Sequence, residues 1–124
     1  MTGITFDTGA LIALERRRQR MKDTFEQALA KNQPITVPAD VVGEWWRART
    51  DLRDSILGSV DVEPLTESLA KLAGEALAAV KGATLVDAIV MASAASRGDV
   101  VYTSDIEDLE RLHRYFPGVR ILGT

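Results

Sequence analysis

At 124 residues, with 46% hydrophobic and 27% charged residues and a net charge of −3, the chain has the make-up of one soluble globular domain, 1–124, long enough to bury a real core. The absence of Cys excludes disulfides, thiolate metal sites and a cysteine nucleophile, and a lone histidine, His113, excludes multi-histidine metal centres. The N-terminal Met-Thr-Gly-Ile-Thr-Phe-Asp has no basic stretch and no long apolar run, and nothing approaches the roughly 20 apolar residues of a membrane span, so a cytoplasmic protein is expected.

Ile4 to Phe6 reads as a short strand, followed by a tight turn at Asp7-Thr8-Gly9 and a helix through Ala10-Leu11-Ile12-Ala13-Leu14. A basic cluster, Arg16, Arg17, Arg18, Arg20 and Lys22, ends or kinks that helix. A second helix covers Met21 to Ala30, with Phe25, Ala28 and Leu29 on one face, and Asn32-Gln33-Pro34 breaks it. Ile35 to Val37 is another strand, and Pro38 suits the start of a helix over Asp40 to Arg49, with Val41, Val42, Trp45 and Trp46 on its apolar side. Arg47, Arg49 and Arg53 form a second basic group; taken alone, both groups read as solvated helix surfaces. A short helix or turn, Leu52 to Leu57, leads through Gly58 to a strand at Val60 to Val62, and Leu65 to Val80 is helical.

The stretch from Ala83 to about Ser96 reads as a helix that is hydrophobic on nearly every face, hence buried, with Arg97-Gly98 at its end. Asp87 interrupts it. Burying a lone carboxylate is costly, and no basic residue lies three or four positions away to pair with it. Its alternative role is as the third helical residue behind a Thr84 N-cap, near the positive end of the helix dipole. Val100 to Thr103 is the clearest strand; Ser104 and Glu107 stand at capping-box spacing, the last helix ends near Pro117-Gly118, and Val119 to Leu122 is a final strand. Strands alternating with helices predict an α/β fold, a mostly parallel central sheet covered on both faces in a three-layer α/β/α arrangement.

In such sheets ligands bind beyond the C-terminal ends of the strands. Asp7 and Asp105 fall there, each also readable as an N-cap. Glu44 lies one turn into the helix after the second strand, where an ion pair with Arg47 is the ordinary alternative. With Asp87 these make four carboxylates on four segments. Two carboxylates about 4 Å apart repel by roughly 4 kcal/mol at an effective dielectric near 20, so four together need a cation. An all-oxygen donor set suits Mg²⁺ or Mn²⁺, and the matching chemistry is metal-assisted phosphodiester hydrolysis.

The same residues in the same order, Asp7-Thr8-Gly9-Ala10-Leu11-Ile12-Ala13-Leu14, Pro38 through Glu44, Asp87-Ala88-Ile89 and Thr103-Ser104-Asp105, resemble the PIN-domain ribonucleases, and the chain length resembles the VapC toxins of bacterial toxin–antitoxin pairs. The resemblance spans Ile4 to Leu122. It implies that Asp7, Glu44, Asp87 and Asp105 bind the metal and carry catalysis, that Thr103 helps to order the site, and that Asp108 is a secondary acidic candidate. It also implies an RNA substrate, most often transfer RNA, a homodimer, and a VapB-like antitoxin that inserts a segment over the active site. The arginine groups would then hold RNA phosphates beside an acidic cleft. Trp45 and Trp46 are expected in the core or at the antitoxin contact rather than stacked on a base. Position 9 departs from the pattern: Gly9 stands where many relatives carry a small polar side chain, which removes a hydrogen bond that bears on substrate positioning.

Two rivals remain at this level. A phospho-accepting receiver domain has this length, but Asp7 is followed by Thr8 and no lysine occurs after Lys81. A non-catalytic interaction domain would use the same carboxylates only as helix caps.

Overall fold

The computed structural model describes residues 2–124. Five strands form one sheet: β1 (Ile4–Phe6), β2 (Ile35–Pro38), β3 (Asp61–Glu63), β4 (Val100–Thr103) and β5 (Arg120–Gly123). Every pairing is parallel, in the order β3-β2-β1-β4-β5. The helices are α1 (Thr8–Glu15), α2 (Gln19–Ala30), α3 (Ala39–Trp45), α4 (Asp51–Leu57), α5 (Glu67–Ala79), α6 (Leu85–Arg97) and α7 (Ile106–His113), and they complete the three-layer arrangement. The chain builds outward from β1 through β2 to β3, then returns to pair β4 on the other side of β1. The crevice between the C-terminal ends of β1 and β4 is therefore the topological switch point, where α/β sheets bind ligands. Phe6 faces Tyr102 across it, which puts Asp7 beside Thr103 in the next register position.

Helix α6 lies against β1, β2 and β4 and packs most extensively on α5. Ala88 through Ala94 are all buried, so the nearly uniform apolar pattern does mark a core helix. Its C-terminal end is fastened by a polar network that the sequence did not disclose. The Arg97 guanidinium donates to Asp99 at 2.9 Å, to the Thr5 hydroxyl at 2.9 Å and to the Ser93 hydroxyl at 2.8 Å, and pairs with Glu63. Thr5 and Ser93 in turn donate to Asp99 and Glu63. These bonds satisfy the buried Asp99 carboxylate and tie α6 to β1 and β3.

Several boundaries differ from the sequence reading, each for a local reason. The third strand is Asp61–Glu63, one residue later than expected, because Thr36, Val37 and Pro38 fix its register. Helix α3 stops at Trp45 instead of Arg49, since Thr50 caps a separate helix by accepting from the Arg53 N–H at 3.1 Å. The last helix ends at His113, before Pro117. In α2 the buried residues are Met21 and Ala28, while Leu29 is 42% exposed and lies outside the core face assigned to it.

Three helices end in the same hydrogen-bonded turn, in which one residue adopts left-handed φ. Gly98 (φ 73°) and Asn32 (φ 53°) fill that position after α6 and α2. After α1 it falls to Arg17 (φ 57°), with the Arg17 N–H bonded to the Leu14 carbonyl and the Arg18 N–H to the Ala13 carbonyl. An arginine with a Cβ incurs a steric penalty that glycine avoids.

Candidate active site

The four carboxylates singled out in the sequence arrive at the switch point from four elements. Asp7 ends β1 and caps α1, its Oδ1 accepting from the Ala10 N–H at 2.8 Å. Asp105 follows β4 and caps α7, its Oδ1 accepting from the Asp108 N–H. The expected cap at Ser104 is thus displaced by one residue. Thr103, fully buried, accepts from the Asp105 N–H at 2.9 Å and so orients the segment that carries it. Asp87 is the third residue of α6 behind the Thr84 cap, as the alternative reading supposed, and it also faces the other carboxylates. Glu44 accepts from the Thr8 hydroxyl at 2.6 Å. The alternative for Glu44, an ion pair with Arg47, does not form; Arg47 donates to the Glu44 backbone carbonyl instead.

Electrostatics shows that these groups sense one another. Asp7 is only 8% exposed, and desolvation pushes its pKa up to about 6, against lowering contributions from Thr103 and the Ala10 N–H; the charges of Asp87 and Asp105 raise it further. Asp87 is also raised, first by desolvation, with Thr84 opposing and Asp108, Glu44 and Asp105 adding repulsion. Asp108 is raised chiefly by its hydrogen bond with Asp105, while Arg111 at 3.7 Å pulls the other way. Among the described residues no three of these side chains stand as a ready-made ion-binding cluster. The donor chemistry nevertheless fits a hard divalent cation. Asp7, Glu44 and Asp105 are each anchored through one carboxylate oxygen. The raised pKa values of Asp7 and Asp87, due first to burial, include a repulsion from neighbouring carboxylates that a cation would relieve.

Gly9 acquires a reason. A Cβ there would lie 2.9 Å from the Ser104 Cβ and 3.0 Å from its Oγ, so the Asp7–Gly9 turn and the β4–α7 turn can only approach this closely with glycine at position 9. Ser104 donates to the Gly9 carbonyl at 3.1 Å and shares a hydrogen bond with Thr124 at 2.9 Å. A hydroxyl thus occupies the place that a polar side chain at position 9 would have filled.

Trp45 is in the core, with its Nε1 donating to Glu15 at 3.1 Å, and Trp46 is half-buried against it edge to face. Asp40, one turn before Glu44, is not among the residues to which the sequence points. Both its carboxylate oxygens are enclosed without a hydrogen-bond partner, and burial raises its pKa, opposed by backbone N–H groups at the start of α3 and assisted by Glu44 and Glu63. The i, i+4 spacing from Glu44 is its only signal.

A parallel α/β domain with carboxylates at its switch point carries them where such sheets bind ligands. The PIN domain family matches residues 4–114, and the chain belongs to that family. No curated protein matches it in sequence. Among solved structures it is similar to a chain of the DNA-bound VapBC complex from Salmonella typhimurium (18% identity, TM-score 0.76, covering 99% of this chain and 98% of that one). It is also similar to one of VapBC2 from Rickettsia felis bound to a promoter DNA fragment (13%, 0.76, 98% and 98%), and to one of a toxin–antitoxin complex from Klebsiella pneumoniae (23%, 0.70, 94% and 95%). At these identities the likeness is one of fold. No helix among the described residues is long and apolar enough to cross a membrane.

Proposed function

We propose that this chain is a divalent-metal-dependent endoribonuclease and the toxin of a toxin–antitoxin pair. The observation that supports the reading is that Asp7 and Asp105 follow the C-terminal ends of β1 and β4, with Asp87 near enough for its charge to act on Asp7 and Glu44 near enough to act on Asp87. These four residues would hold Mg²⁺, or Mn²⁺ in its place. When bound, such an ion lowers the pKa of water and stabilises charge developing on a phosphate. The chain's own contribution is positional. Asp7 must lose its proton before it can serve, and Thr103 and the Ala10 N–H favour its ionised form. Thr8 fixes Glu44, and the buried body of α6 holds Asp87 in place. Hydrolysis adds water across one phosphorus–oxygen bond and leaves a phosphate on one fragment and a hydroxyl on the other.

RNA, with transfer RNA first among candidates, is the substrate, a VapB-like antitoxin the partner, and the cytoplasm the compartment. The similar folds in toxin–antitoxin complexes support the partner, and the family supports the nuclease. A homodimer completes the proposal; Val62 on the edge strand and Leu65 just beyond it are both exposed apolar side chains available to a second copy.

The test is incubation with end-labelled transfer RNA in Mg²⁺, with EDTA, and with Asp7→Asn, Asp87→Asn and Asp105→Asn. Cleavage should require the ion and be abolished in each variant. Cleavage that survives all three substitutions sinks the assignment, and an intact RNA with every divalent ion favours the capping-only reading.

A further inference from the structure

The two basic groups have different fates. In the second, Arg53 pairs with Glu15 at 2.8 Å and Arg49 with Asp51 and Asp54, so two of its three charges are neutralised within the protein, while Arg47 bonds a backbone carbonyl. In the first, Arg16, Arg17, Arg18 and Arg20 form no ion pair among the described residues, although the chain carries a net negative charge. Arg16 and Arg18 border a cavity of about 480 Å³ whose other walls include Gly9, Ile12, Ser104 and Thr124. That volume falls within the roughly 300–1,000 Å³ of small-ligand sites. Two of its walls adjoin the acidic centre: Gly9 lies two residues after Asp7, and Ser104 immediately precedes Asp105. Arg16 also borders a second cavity, of about 410 Å³, which reaches Glu44.

We infer that the cavity between the start of α1 and the β4–α7 turn is a phosphodiester subsite, which holds a backbone phosphate of the RNA strand next to the one being cleaved. The inference rests on the nuclease reading above and adds where the strand lies. Guanidinium groups bind phosphate oxygens in bidentate fashion, and two of them line this concavity, whose wall is completed by the Ser104 and Thr124 hydroxyls, bonded to each other and, through Ser104, to the Gly9 carbonyl. They would offset the repulsion between an RNA backbone and the adjoining carboxylates. No aromatic ring borders the cavity, and Trp45 is committed to the core, so the subsite reads the backbone and not the base. The turn that carries these arginines is the one held in left-handed geometry at Arg17, where the other two such turns use glycine and asparagine. Arg16 and Arg18 flank that residue, so the turn sets where both side chains start.

The decisive experiment is fluorescence anisotropy of a labelled single-stranded oligouridine in EDTA, where no cleavage can occur, across a range of NaCl concentrations. Arg18→Gln and Arg16→Gln should each weaken binding about tenfold and flatten the slope of log affinity against log salt by about 0.7 for each phosphate no longer neutralised. Arg20→Gln, the same change of charge off the cavity, should do much less, and oligocytidine should behave as oligouridine does. Equal losses for Arg18→Gln and Arg20→Gln, or none for Arg16→Gln and Arg18→Gln, overturn the subsite. Unchanged RNA binding with weakened binding of an acidic peptide would make the cavity a protein-docking site and likewise overturn it. Cleavage is scored separately with Mg²⁺: binding that depends on Arg16 and Arg18 without any cleavage leaves an RNA-phosphate site in this cavity but removes the nuclease reading and with it the place beside a scissile phosphate, whereas cleavage without that dependence removes only the subsite.

Discussion

Replacing Asp7 with asparagine should stabilise the metal-free protein at neutral pH. The carboxyl is 8% exposed and its pKa rises from 3.8 to about 6, so the folded state holds the proton more tightly than the unfolded chain does. Between those two values the native state binds more protons, and stability falls as pH rises. The penalty is absent below about pH 4 and complete above about pH 6, where the difference between the two pKa values corresponds to roughly 3 kcal/mol. Asparagine carries no charge, and its side-chain oxygen can still accept from the Ala10 N–H, so the α1 cap survives. For a domain of this size the gain corresponds to a rise in Tm of roughly 10 °C. Circular-dichroism melts in EDTA at pH 4 and pH 7.5 read it directly: the variant and the wild type should nearly coincide at pH 4 and separate at pH 7.5. Excess Mg²⁺ should then raise the wild-type melt, by about 2.7 kcal/mol at 100 times the Kd, and leave the variant unmoved. An Asp7→Asn protein less stable than wild type at pH 7.5, or a difference that does not change with pH, would refute the reasoning and leave Asp7 as a cap alone.

Arg17→Gly should stabilise the fold by about 1 kcal/mol in urea denaturation, because the left-handed position then carries no Cβ; a loss would mean that the side chain makes contacts worth more than the strain. Arg97→Gln should destabilise by about 3 kcal/mol, since it strands the buried Asp99 carboxylate; an unchanged urea midpoint would show the network to be dispensable. Gly9→Ala forces the β4–α7 turn away from its 2.9 Å approach and should lower RNA cleavage at least about tenfold through the misplaced Asp105, in line with the sensitivity of catalysis to ångström-scale displacement. Full activity in that variant would mean that the turn relaxes without moving Asp105.

Periodicity and punctuation made most of the architecture legible. The β1 and β4 runs, the apolar body of α6 and the Gly98 stop are all local signals, and Asp7, Asp87 and Asp105 could be placed because each lies at a strand end or in an early helix turn, whereas Glu44 falls near the end of the short α3. What stayed hidden depends on contacts between distant segments. Arg97 reaches Thr5 and Glu63 across 92 and 34 residues, which no local pattern encodes. The need for glycine at position 9 arises from Ser104, 95 residues away, so the sequence alone recorded a missing polar group and not the hydroxyl that replaces it. Glu44 illustrates the same limit: the nearest arginine is the natural partner by spacing, yet its carboxylate binds Thr8 on another helix. Cap and candidate ligand were opposed as alternatives, and the structure makes Asp7 and Asp105 caps while bringing both into the shared acidic centre.

The central claim is that Asp7, Glu44, Asp87 and Asp105 act as one divalent-ion site. Mn²⁺ titration followed by electron paramagnetic resonance at pH 7.5, on the wild type and on Asp7→Asn, Glu44→Gln, Asp87→Asn and Asp105→Asn, tests it most directly. Loss of a group that merely supports a metal ligand weakens affinity about 10–100-fold, so each variant should lose at least that much, whereas Asp61→Asn, on the edge strand, should bind as wild type does. Wild-type affinity retained in all four variants would contradict the account.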